Sequence, residues 1–179
     1  MWSQDKYIAA WNFSTKSHNG QLLPGTDLPY INHIANVAME VMSAIALQPT
    51  IARPNLSIQC ALLHDTLEDT AVTYDELLAQ FGKEVSEGVL ALTKNSQLPT
   101  KTEQMADSLA RIRELSHEIW IVKLADRITN LQTPPGHWGK KKIRAYREEA
   151  ITILDTLGTS HDLLAERLKQ KIDHYQIHC

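Results

Sequence analysis

An apolar run, Cys60-Ala61-Leu62-Leu63, leads directly into His64-Asp65-Thr66-Leu67-Glu68-Asp69. A segment greasy enough for a core therefore carries four ionisable side chains. Buried ionisable groups are costly unless they are paired or bound to a metal. Any fold open to this chain must give those four a partner or a route to water. Read as one continuous helix, His64 and Glu68 stand four apart, as do Asp65 and Asp69, and Asp65 and Glu68 stand three apart. All four then lie on neighbouring rows of one side. Two readings remain open on this stretch alone. One is a hard-metal site with an acid/base pair; the other is a solvated helix end with ordinary surface charge.

The rest of the chain reads as helices separated by breakers. Residues 4–17 have Tyr7, Ile8, Ala10, Trp11 and Phe13 at helical spacing, and His18-Asn19-Gly20 ends that helix. Pro24, Gly25, Asp27 and Pro29 mark a loop over 21–29. A second helix spans 31–47. A third starts from Asn55 or Ser57 as N-cap and runs to about residue 68. Thr73 with Glu76 predicts a capping box, and Gly82 stands where a helix-ending glycine belongs. Further helices are expected over 83–92, 102–115, 117–131, 140–157 and 160–175, with Ser116 as a cap and Pro134-Pro135-Gly136 as a break. Ile119-Trp120-Ile121-Val122 alone would pass for a buried strand, but Leu124, Ala125, Ile128 and Leu131 continue it with helical spacing. There is no internal repeat and no domain boundary. The expected class is all-α, one domain over residues 1–179, with about nine or ten helices.

At 179 residues and 43% hydrophobic, the chain can bury one ordinary core. A net charge of −3 argues against a general nucleic-acid surface, so an anionic ligand would need a local basic pocket. The two cysteines, one in the apolar run and one at the last position, do not suggest a disulfide framework. No signal peptide and no membrane span are apparent, and a cytoplasmic protein is the default expectation. An oligomer is possible but not indicated.

Two more stretches carry chemistry. In Val122-Lys123-Leu124-Ala125-Asp126-Arg127-Ile128-Thr129-Asn130-Leu131, Asp126 interrupts an apolar helix, with Lys123 three before it and Asn130 four after. A metal ligand beside a substrate amide and a Lys–Asp surface pair both fit that spacing. His33 opens the second helix beside the loop. Taken singly, each is ambiguous. Taken together, His33, His64-Asp65 and Asp126 fall on three separate helices in the order H…HD…D.

That order resembles the HD-domain metal-dependent phosphohydrolases. More narrowly, Tyr30-Ile31-Asn32-His33, the stretch from Ala61 to Thr70, Phe81-Gly82 and the stretch from Val122 to Leu131 resemble the hydrolase domain of the RelA/SpoT family, including its stand-alone small alarmone hydrolases. The resemblance implies an HD-domain helical bundle in which His33, His64, Asp65 and Asp126 bind one divalent ion, usually manganese. It implies that Glu68 and Asp69 position and deprotonate water for attack on the 3′-diphosphate of (p)ppGpp, releasing pyrophosphate. Asn130 and Tyr146 would contact the nucleotide, and Lys142 would meet phosphate. The partner is thus a small-molecule nucleotide, not a nucleic acid or a membrane. Other HD activities, such as a nucleotidase or NADPH 2′-phosphatase, and a non-catalytic nucleotide-binding module, stand as alternatives.

One departure bears on the base. The family usually carries an Arg-Lys pair in the loop before Tyr-Ile-x-His, the arginine packing on guanine. Here Leu22-Leu23 stand in those positions, and no Arg or Lys lies between Lys16 and Arg53. Two leucines supply neither cation–π stacking nor phosphate charge, although they can wall a base. Guanine and adenine alarmones, (p)ppGpp and (p)ppApp, are both expected candidates, with Lys94 and Lys142 taking the phosphate duty.

Overall fold

The computed structural model describes residues 1–179. Ten α-helices make up the fold: α1 (Gln4–Ser17), α2 (Ile31–Leu47), α3 (Pro54–Leu63), α4 (Thr66–Asp69), α5 (Tyr74–Phe81), α6 (Lys83–Leu92), α7 (Lys101–Arg113), α8 (His117–Asn130), α9 (Lys140–Leu157) and α10 (Asp162–Tyr175). The sole strand-like pairing is an antiparallel bridge between Leu22 and Pro29. The all-α expectation holds.

Two helices form the centre. Eight of the ten residues of α3 and ten of the fourteen of α8 are buried. A helix that is apolar on every side belongs inside a core rather than on it. The amphipathic helices wrap this pair: α1 and α2 pack on α3, and α9 and α10 pack on α8. α6 closes in through Gly88, where a Cβ would sit 2.6 Å from Ile119 Cδ1 and 2.8 Å from Cys60 Sγ. Local signals fix the ends of several helices. The Thr73–Glu76 capping box forms as expected and a second joins Thr100 to Glu103. Gly82 takes φ 80° between α5 and α6.

Three expectations need correction. First, the third helix does not run to residue 68. It ends at Leu63, and Asp65 (φ −99°, ψ 0°) interrupts it before α4. Side chains take over the last carbonyls: His64 Nδ1 meets the Ala61 carbonyl at 2.8 Å, and Thr66 Oγ1 donates to that of Leu63 at 2.7 Å. Second, neither Asn55 nor Ser57 caps α3. Pro54 opens it, needing no N–H partner, while Asn55 Oδ1 accepts from the Ser3 N–H at 2.7 Å and ties α1 to α3. Third, Ser116 precedes α8 without a capping bond; its hydroxyl accepts from Arg53 instead.

Candidate active site

The break at Asp65 lets two consecutive side chains share one target. In an unbroken helix, neighbours diverge by about 100°. Here His64 Nε2 lies 2.9 Å from Asp65 Oδ2. His33, from the first turn of α2, brings Nε2 to 3.3 Å from His64 Nε2, 3.5 Å from Asp65 Oδ2 and 3.4 Å from Asp126 Oδ1. Ligand atoms of His33, His64 and Asp126 all fall within 4.8 Å of one another. α2, the α3–α4 break and α8 thus deliver the H…HD…D set to one point.

Three of these side chains are held from behind. With Nδ1 against the Ala61 carbonyl, His64 turns an Nε2 lone pair inward when neutral. Tyr30 donates its hydroxyl to Asp65 Oδ2 at 2.6 Å. Asp126 accepts from Lys123 Nζ at 3.0 Å and from Asn130 Nδ2 at 2.5 Å. The electrostatics call for positive charge at the centre. Burial opposes charge on His33, yet the Asp126 and Asp65 carboxylates outweigh it and raise the ring to about 9. Burial works the same way on His64, and Asp65 again wins. Burial alone would push both carboxyls up, but His64 and His33 hold Asp65 well below the carboxylate range, as Lys123 and His33 hold Asp126. Two imidazole nitrogens facing each other beside two ionised carboxylates suit a divalent cation. These residues fit the metal that the family resemblance implies.

The acid/base pair expected one turn on divides into unlike members. Lys94 grips Glu68 twice, through Nζ at 2.9 Å and its backbone N–H at 3.0 Å. Asp69 has no such partner. Burial first, then the Asp65 charge, raise its carboxyl above the ordinary value.

Asp126 and Asn130 open onto a cleft of about 820 Å³ between α7 and α9. Lys94, Lys142 and Tyr146 line it, and so do Lys101, Lys123, Arg127 and Trp138. Leu22 and Leu23 do not. They sit in the loop that folds back on itself through the Leu22–Pro29 bridge, and Leu22 is half exposed. That loop supports the metal end through Gln21, whose Oε1 meets His18 Nδ1 at 2.7 Å, and through Tyr30, which stacks on His18. Sequence reasoning gave no site role to Tyr30, Lys123, Arg127 or Trp138. Tyr30 and Lys123 were findable, each being three residues before a ligand candidate. Arg127 and Trp138 offered no such signal.

The fold and the four-residue centre define a helical HD-type protein, and the comparisons agree. The profile of the HD domain matches residues 10–163, and the chain belongs to that family. It is similar along most of its length to the guanosine-3′,5′-bis(diphosphate) 3′-pyrophosphohydrolases MESH1 of Danio rerio (33% identical, 89% of this chain and 88% of the relative) and Homo sapiens (32%, 90% of each). A bacterial relative of the same enzyme name, from Aquifex aeolicus, is 33% identical over 69% of this chain but 17% of its own length. Among solved structures, one described as a metazoan ortholog of SpoT superposes with a TM-score of 0.82 at 23% identity, covering 97% of both chains, which bears out the fold.

Proposed function

We propose that this protein is a metal-dependent hydrolase that removes the 3′-diphosphate of an alarmone nucleotide, ppGpp or its adenine equivalent, as pyrophosphate. The observation that carries this reading is the meeting of His33, His64, Asp65 and Asp126 beside a cleft that Asp126 lines together with lysines and Arg127. Its full-length relatives carry the same enzyme name. A substrate bearing several phosphates needs such concentrated cationic charge, and a diphosphate leaving group benefits from it.

The four residues would hold the cation, which we take to be manganese; when bound, it supplies Lewis acidity that eases deprotonation of water and attack at phosphorus. The chain's own residues do the rest. Asp69, raised by burial and by Asp65, takes the proton from the attacking water, because a base works best when its pKa is drawn toward neutrality. Glu68, fixed by Lys94, orients that water. Water oxygen bonds to the phosphorus next to the ribose, the bond from that phosphorus to the ribose 3′ oxygen breaks, and Asp69 returns its proton to the departing oxygen. Lys123 and Asn130 keep Asp126 ionised and oriented. Lys142 and Lys94 face the phosphates, and Tyr146 the nucleotide.

The test is manganese-loaded protein offered ppGpp, pppApp, NADPH and simple nucleotides, with products separated. Pyrophosphate from a 3′-diphosphate is the expected result. Orthophosphate alone, above all from NADPH, would replace this reading with a phosphatase. Binding without turnover would make the protein a nucleotide sensor.

A further inference from the structure

Resting on the reading above, we infer that Trp138 is the platform on which the substrate's base stacks, and that this makes recognition tolerant of either purine. The cleft wall carries two adjoining rings with a cation at each end. Lys142 Nζ lies 4.0 Å from the Trp138 ring centre, Trp138 meets Tyr146 edge to face at 5.2 Å, and the Arg127 guanidinium lies 4.3 Å from the Tyr146 centre.

The two cations differ in how they are held. Arg127 is buried and paired with Glu149, so the face of Tyr146 beneath it is permanently taken. Lys142 is exposed, and its contact with Trp138 is a cation–π contact with no carboxylate behind it. An exposed cation–π contact is weaker than stacking of a base on an aromatic ring. A base can therefore take the ring face and release the ammonium toward the phosphates, where charge favours it. Trp138 is the aromatic ring of this cleft with a face that can be vacated at low cost.

The position fits the rest of the molecule. The loop that holds Leu22 and Leu23 does not line this cleft, so a base bound in the cleft meets the Trp138 side instead. Stacking takes any base, since every base has a π face. Discrimination needs fixed donors and acceptors at the base edge. The carboxylates at the α9 side of the cleft are poorly placed for that: Glu149 is committed to Arg127, and Glu148 is 70% exposed.

Guanosine 3′,5′-bisphosphate, adenosine 3′,5′-bisphosphate and inorganic pyrophosphate, titrated into the manganese-loaded protein, test the assignment by calorimetry and tryptophan fluorescence. Both nucleotides should quench fluorescence, with affinities within about tenfold of each other, and Trp138→Phe should bind them with little loss but without that quench. Trp138→Ala should weaken both nucleotides roughly 5- to 100-fold and leave pyrophosphate within about twofold. A quench that survives in Trp138→Phe overturns the proposal, as does unaltered nucleotide affinity in Trp138→Ala, an equal loss for pyrophosphate, or a preference for one purine beyond about a hundredfold. Hydrolysis of ppGpp is scored separately. Stacking on Trp138 without turnover would remove the proposed reaction and keep the platform; turnover indifferent to Trp138 would do the reverse.

Discussion

The metal end and the cleft end of this site are built on opposite principles. At the metal end, His33, His64 and Asp126 are buried, and His64, Asp65 and Asp126 each have a second partner, whether carbonyl, phenol, ammonium or amide. At the cleft end, Lys101 and Lys142 are exposed and long, and their contacts are few. Preorganisation belongs where bonds are made and broken, because a small misplacement there costs orders of magnitude. Recognition of a flexible polyphosphate tolerates mobile charge. The contrast predicts that substitutions at the metal end remove function outright, while those in the cleft grade it.

The largest effect should come from Asp126→Asn or His64→Ala. Either should abolish stoichiometric divalent metal, read by elemental analysis, and lower kcat by three orders of magnitude or more, since the loss also strands the neighbouring buried charges. Asp69→Asn comes next, with kcat down about 10²- to 10⁴-fold and metal content unchanged. Glu68→Gln should lose less, because Lys94 still holds the side chain through its backbone N–H. Full metal loss in Asp69→Asn would move that residue into the ligand set. Lys94→Ala with Lys142→Ala should raise KM about tenfold or more, with a smaller loss in kcat because Glu68 keeps only the backbone N–H of residue 94; an unchanged KM for every nucleotide would take the phosphate role away from both. The smallest effect concerns pH. Carboxylates raise His33 to about 9, so near pH 7 the incoming cation must displace a proton. Metal affinity should climb as pH rises toward 9 and level off above it. Calorimetry in two buffers of different ionisation enthalpy at pH 7 should register proton release, and equal heats would contradict the charge balance described for the centre.

The same contrast explains what the sequence disclosed. Helix existence and class were legible because periodicity and breakers are local: 31–47, 83–92 and 140–157 match α2, α6 and α9. The clustering of His33, His64 and Asp126 was legible because ionisable residues inside apolar runs have few physical excuses. The helix break at Asp65 was not, because it depends on side chains of His64 and Thr66 capturing carbonyls, which competes with a periodicity that looks unbroken. The cleft was hardest. Leu22 and Leu23 were expected to be near the substrate by their place in the chain; Leu22 forms the bridge to Pro29, and neither lines the cleft beside Asp126. Trp138 follows a Pro-Pro-Gly break, where no period points anywhere.

α8 can be thought of as a keyed shaft. Asp126 locks it on one side into the reaction centre. Its neighbour Arg127, about 100° further round, locks it on another side to α9 through Tyr146 and Glu149. With two keys at adjacent residues, the shaft cannot turn to improve one fit without spoiling the other. A ligand that displaced Tyr146 or drew Glu149 aside would release one key and apply torque to the carboxylate at the other. Under the function proposed above, grip on the nucleotide and aim at its phosphate would be mechanically one adjustment.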